Sequence, residues 1–188
     1  MSDAHKHPAD PANEFSSDNS AIDPRDFRNA LGTFGTGVTI VTAMAADGKP
    51  YGVTCNSFAS VSLNPPLVLW SLGMFSQGLT VFQNASHFAV NVLSTSQEAL
   101  AVKFAKSSDD KFAGVPWRPS TVADGAPILH ESSVAYAECR IVRQHDEGDH
   151  WVFIAEVEGG EVFGGAPLMY YRRTYTAWPE ETPAPEVG

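Results

Sequence analysis

The sequence predicts a mainly β protein, a small antiparallel barrel with short flanking helices. Three observations carry that expectation. About six or seven segments are rich in β-branched and aromatic residues, turn signals join neighbouring segments, and the few helical patterns are short. These helices do not alternate regularly with the strands, as they would in a doubly wound parallel sheet. There is no internal repeat.

Residues 1–22 are expected to form a disordered tail, because Asp, Ser, Ala, Asn and Pro bury too little to order it. One domain is expected over 23–178, followed by a second disordered tail over 179–188. Asp23 can cap a short helix with Pro24 at its first position. Phe27, Ala30 and Leu31 give that helix an apolar side. A Gly- and Thr-rich turn over 32–37 leads into a strand over 38–44, and Asp47-Gly48 carries the hairpin signal. The next strand runs over 52–63. At its end Val61 and Leu63 share one face and Ser60 and Ser62 the other, and Asn64-Pro65-Pro66 stops it. An apolar strand over 67–72 follows directly.

Residues 75–82 read as a short helix with Ser76 at its N-cap, and 87–93 as a strand. Ser94 and Thr95 precede Gln97 and Glu98 at capping-box spacing. They open a helix that turns Leu100 and Phe104 to the buried side. Residues 107–127 lack periodicity and read as a long loop, a kind that is usually functional or mobile. Two long strands follow, over 135–142 and 151–157, joined by a polar turn ending in Asp149-His150. Gly159-Gly160 is expected to break the second, and residues 168–171 form a last apolar run.

The 188 residues suit one domain of ordinary size. Lys plus Arg number 12 against 22 Asp plus Glu, a formal charge of −10. Such a surface repels nucleic acid and anionic membranes, so neither is expected as a partner. The two cysteines, Cys55 and Cys139, are too few for a disulfide scaffold and form no C-x-x-C pair. The N-terminus lacks a signal-peptide pattern, and no apolar stretch approaches the ~20 residues of a membrane span. A reduced, cytoplasmic protein is expected. The glycines at 32, 35 and 37 do not form G-x-G-x-x-G, and Walker A, G-x-S-x-G and H-E-x-x-H motifs are missing. His145 and His150 flank one turn without a third ligand, so no metal is expected.

The stretch with most chemistry is Thr54, Cys55, Asn56 and Ser57. Four consecutive small, hydrogen-bonding residues fill a core poorly. They leave backbone N–H groups and short side chains for a planar, polar-edged ligand, or else they mark an edge strand or tight bend. His150 has two readings as well, a proton-handling or nicotinamide-contacting side chain or simply the start of a strand. Ser76 and Gln77 could be ligand contacts or a helix start, and Lys103 a ligand or a solvated lysine. Cys55 has no neighbouring cation to lower its pKa and reads as packing rather than as a nucleophile.

Taken together, F-R-x-A-x-x-x-F-x-T-G-V-T-I-V-T at 27–42 and G-V-T-C-N-S-F-x-S-V-S-L-N-P-P-L-V at 52–68 resemble the short-chain flavin reductases. Those proteins are the reductase components of two-component flavin-dependent monooxygenases. F-A-V-N-V-L at 88–93, G-D-H-W-V-F-I-A-E-V at 148–157 and the closing L-x-Y-Y-R-R-T-Y match too. The resemblance implies a split β-barrel homodimer with FMN or FAD near the subunit interface. It implies oxidation of NADH or NADPH and delivery of reduced flavin to a partner monooxygenase.

Carried over by position, Val53, Thr54, Cys55, Asn56 and Ser57 would face the isoalloxazine edge and ribityl chain, with Thr36, Gly37, Val38 and Thr39 close by. Ser60, Ser71, Ser76 and Gln77 would serve the ribityl and phosphate end, and Lys103 and Phe104 would close the site. His150 would stand at the nicotinamide side as the catalytic candidate, with Arg173 and Tyr175 as further contacts. Cysteine at 55 departs mildly from the small residue common in this family. Hydride transfer needs the two rings stacked about 3–3.5 Å apart, and the cofactor does the hard step. That accounts for a sequence without a catalytic constellation. The competing readings are a pyridoxamine-phosphate-oxidase-like enzyme, expected to carry more Arg and Lys, and a non-catalytic flavin- or haem-binding module.

Overall fold

A computed structural model describes residues 22–129 and 133–178. Of the tails expected at 1–22 and 179–188, residues 1–21 and 179–188 lie outside the described residues, and Ile22 is described and exposed. Asp23 caps helix α1 (Pro24–Leu31), its carboxylate accepting from the Arg25 N–H at 2.6 Å. β1 (Thr36–Gly37) and β2 (Thr39–Met44) follow. The Asp47-Gly48 turn, with Gly48 at φ 79°, returns the chain as β3 (Pro50–Cys55). Next come β4 (Ala59–Leu63), β5 (Pro66–Gly73), α2 (Leu79–Asn84) and β6 (His87–Leu93). Ser94 and Gln97 close the expected capping box over a single 3-10 turn, which continues as α3 (Glu98–Ala105). The short strands β7 (Arg118–Pro119) and β8 (Pro127–Ile128) bracket part of the long loop. β9 (Ser133–Glu147) and β10 (His150–Val162) form the longest hairpin, and β11 (Leu168–Tyr171) and β12 (Thr174–Ala177) complete the chain.

Seven strands form one antiparallel sheet in the order β3-β2-β6-β9-β10-β5-β4. The fold is therefore mainly β and antiparallel, with short helices, as the sequence predicts. β2 is buried along almost its whole length, which suits its β-branched run. Trp70 stacks on Phe153 at 4.9 Å and meets Phe82 and Phe88 edge-on in the centre of the core. Such aromatic pairs contribute about 0.5–1.5 kcal/mol each beyond their buried area. Buried Asn91 fixes the end of the long loop. Its amide donates to the Ile40 carbonyl at 3.1 Å, and its oxygen accepts from the Leu129 N–H at 2.7 Å.

Several expectations need correction. The strand expected over 52–63 is two strands, because the chain leaves the ladder after Cys55 and re-enters at Ala59. Val61 and Leu63, which alternate with serines as one face of a half-buried strand would, are 47% and 94% exposed. α1 likewise buries no residue, with Phe27 and Leu31 open. Ser76 is not the N-cap of α2. Gly78 is, and Ser76 sits one turn earlier, its carbonyl accepting from the Leu79 N–H at 3.1 Å. Gly159-Gly160 does not end its strand. β10 continues to Val162 through an irregularity in register. Glycine is required for space at Gly160, since a Cβ there would lie 2.5 Å from the backbone oxygen of Tyr136.

Candidate functional site

β3 lies at one end of the seven-stranded sheet and β4 at the other, yet only residues 56–58 separate them in sequence. The chain, rather than a hydrogen-bonded ladder, joins the two ends at this point. Beside the join is a cleft of about 580 Å³, lined by the end of β3, by Ser71, Leu72 and Gly73 of β5, and by His150. Ser57 ties its two sides. The Ser57 hydroxyl accepts from the Ser71 N–H at 2.9 Å and donates to the Ser71 carbonyl at 3.1 Å. The Cys55 thiol lies 3.1 Å from the same oxygen. With the hydroxyl proton given to Ser71, the thiol is the donor in that contact.

Thr54 is committed to the scaffold, its hydroxyl donating to the Ala101 carbonyl of α3 at 2.6 Å. Asn56 and Ser57 lie outside the strands, and their backbone N–H groups take no backbone carbonyl among the described residues. The Asn56 side chain also has no hydrogen-bond partner there. These are the open donors that the polar run of the sequence suggests. Ser76 and Gln77 line the cleft from the turn before α2.

His150 opens β10 directly across the ladder from Gly73. A Cβ at Gly73 would make only an ordinary contact with His150 Nε2, at 3.9 Å, so the imidazole lies close over this edge of the cleft. Nδ1 pairs with the Asp149 carboxylate at 2.5 Å. A carboxylate only accepts, so Nδ1 carries the proton and Nε2 is left for the cleft side. This hydrogen bond, helped by the imidazole charge, holds the Asp149 carboxyl below its ordinary range.

Lys111 is the residue that sequence reasoning missed. Its ammonium donates to the Phe104 carbonyl at 2.8 Å and to that of Gly52 at 3.2 Å, pinning the long loop to β3 and α3. Burial pushes its pKa down. Lys106 and Ser107 also line the cleft. A lysine inside an aperiodic loop carries no spacing signal. The one available hint was the length of the loop.

The cleft thus gathers Val53, Thr54, Cys55, Asn56, Ser57, Ser71, Ser76, Gln77 and His150 from the expected set. The remaining candidates lie outside its lining. Val38 and Phe104 are core residues. Thr39 donates to the Cys55 carbonyl at 3.0 Å, and the buried Thr36 hydroxyl has no partner among the described residues. Gly37 pairs with Met169, and Ser60 is exposed on β4. Lys103 turns to the Ala113 carbonyl. Arg173 sits at φ 66° in the turn between β11 and β12, lining a separate hollow with Arg28 and Arg172. Tyr175 packs on Tyr170, ring centres 5.2 Å apart.

The donor set tests whether a flavin phosphate fits here. Among the described residues the cleft lining holds Lys106, Lys111, several hydroxyls and amides, and no Asp or Glu, although acids outnumber bases 22 to 12 in the chain. An uncharged, donor-rich wall with two cations suits a polar-edged ring ending in phosphate, and the residues present fit the group.

Comparison with known proteins agrees with this chemistry. The chain is 41% identical over 166 residues to "Flavin reductase (NADH)" of Kitasatospora aureofaciens, covering 85% of this chain and 84% of the relative. It is 43% identical over 165 residues to the flavin-dependent monooxygenase reductase subunit HsaB of Mycobacterium tuberculosis, covering 86% of each. Among solved structures, the NADH:FAD oxidoreductase SgcE6 of Streptomyces globisporus C-1027, in complex with NAD and FAD fragments, superposes with a TM-score of 0.80. That match is 34% identical and covers 87% of this chain and 99% of that one. The flavin reductase like domain matches residues 31–179, and the chain belongs to that family.

Proposed function

We propose that this protein is an NADH-dependent flavin reductase that supplies reduced flavin to a partner monooxygenase. The observation that carries the reading is the cleft between the sheet ends, rich in donors and cations and without a carboxylate in its lining. When bound, flavin would supply the acceptor for a hydride from NADH, which would leave as NAD⁺. The protein's own work is to hold and orient. Asn56 and Ser57 offer N–H donors to the ring edge, where donors favour the electron-rich reduced state. Ser76, Gln77, Lys106 and Lys111 surround the phosphate end. His150 Nε2 orients the nicotinamide, its ring held by Asp149.

The acting form is a homodimer. Phe27 and Leu31 on α1, Leu63 at 94% and Phe75 at 98% exposure are large apolar side chains of the kind that mark an interface. A partner copy would also be the route by which candidates outside the cleft, such as Ser60 and Arg173, come to bear on flavin. No helix among the described residues is long and apolar enough to cross a membrane.

The test is a visible spectrum and an NADH-oxidation assay. NADH is consumed only when FMN or FAD is present, and anaerobic NADH bleaches the flavin band. Oxidation no faster than that of free flavin with NADH would defeat the proposal.

A further inference from the structure

Beside the main cleft lies a second chamber of about 240 Å³. Val53, Ser76, Gln77 and Lys111 line both spaces, so the two adjoin, with Lys111 common to their walls. The chamber has its own chemistry. Tyr51 and Phe112 supply aromatic wall, and Lys49 and Asp109 supply charge. Lys49 Nζ stands 5.6 Å from the centre of the Tyr51 ring. Phe112 is held edge-on against Phe104 at 5.0 Å.

Resting on the flavin-reductase reading above, we propose that this chamber receives the adenylate half of FAD, and that the protein therefore prefers FAD to FMN. FMN ends in one phosphate, whereas FAD continues through a diphosphate into adenosine. Lys111 stands where a diphosphate joining the two spaces would pass. Two of its three N–H groups are given to the Gly52 and Phe104 carbonyls, and the third is left for a phosphate oxygen. A partly buried cation gains most from an anionic partner, and burial is what lowers the Lys111 pKa. Beyond that point the Tyr51 and Phe112 rings offer surfaces to a purine, since every base has a π-face to stack. Asp109 is an acceptor for the ribose hydroxyls or the adenine amino group. With FMN bound these walls would remain wet and add nothing to affinity.

The experiment is a fluorescence titration of flavin-stripped protein with FAD and, separately, with FMN. The expected result is FAD binding about tenfold tighter than FMN. In the double variant Lys49→Ala/Tyr51→Leu, whose residues line only the chamber, the FAD Kd rises to about that of FMN while the FMN Kd stays unchanged. A thermal melt establishes that the variant is folded. Equal affinities in the parent protein, or a variant that weakens both flavins alike, would overturn the inference and leave the reductase reading standing. Binding of neither flavin would overturn both.

Discussion

Gly52→Ala is the sharpest probe of how the scaffold sets the site. Gly52 sits in β3 beneath α3, and a Cβ there would lie 2.6 and 2.8 Å from two Phe104 ring carbons and 3.2 Å from Phe112. Ordinary carbon contacts are about 3.5–4.0 Å, so the Phe104 ring must retreat by about 1 Å. Phe104 is fully buried and wedged against Phe112, and α3 must move with it. Overpacking of this kind costs about 1–3 kcal/mol. The shift also strains the hydrogen bonds from Thr54 to Ala101 and from Lys111 to Phe104, each worth about 0.5–1.5 kcal/mol net. A combined loss of about 3 kcal/mol lowers the Tm of a domain this size by about 6–12 °C. Flavin affinity falls with it, because Lys111 loses its anchoring carbonyls. Thermal melts and flavin titrations of the variant measure both effects. Gly37→Ala, with nothing within 4 Å of its added Cβ, serves as the stability control. A Gly52→Ala protein that melts with the parent and binds flavin equally well would refute this account of how α3 and the long loop position the cleft.

Ser57→Ala removes both bonds to Ser71; water can replace them at this exposed position, so stability drops by about 1 kcal/mol while flavin affinity falls, and Ser57→Thr restores both. Unchanged binding in a titration of Ser57→Ala would remove the residue from the site. His150→Ala raises the KM for NADH and leaves flavin affinity little changed in steady-state and titration assays, and the reverse pattern would place the imidazole against the flavin instead. Burial, with Glu138 and Glu158 nearby, pushes the Cys139 thiol from 9.0 up to about 12. The folded state therefore favours the neutral thiol, and this contribution to stability is present below pH about 9 and lost as pH rises towards about 12. In a thiol-reagent assay at pH about 8, Cys139 reacts only as denaturant unfolds the protein, and two equally fast thiols in the native protein would contradict its burial.

The boundary between what was legible in the sequence and what was not follows the range of the interactions. Asp23, the Asp47-Gly48 hairpin and the Ser94–Gln97 capping box are local devices, and each formed where residue spacing put it. The α2 N-cap shifted locally, from Ser76 to Gly78, whereas the failures at Gly159-Gly160 and in β4 depend on residues distant in sequence. Gly159-Gly160 looks like a strand breaker until the backbone of Tyr136 on the neighbouring strand is known to occupy the space a Cβ on Gly160 would need. Val61 and Leu63 alternate as a buried face should, and only the sheet order shows that β4 lies at the end of the sheet, where they stay 47% and 94% exposed among the described residues. The site divides in the same way. The polar run at 54–57 is visible because it defies the period-two rule of its own strand. Lys111 defies nothing in its surroundings, and it acquires a role only because the carbonyls of Gly52 and Phe104 converge on it from 59 and 7 residues away. The placing of the Lys111 cation in this cleft is thus a property of the packing of α3 on β3, which is why a single methyl group at Gly52, touching no ligand, is expected to weaken flavin binding.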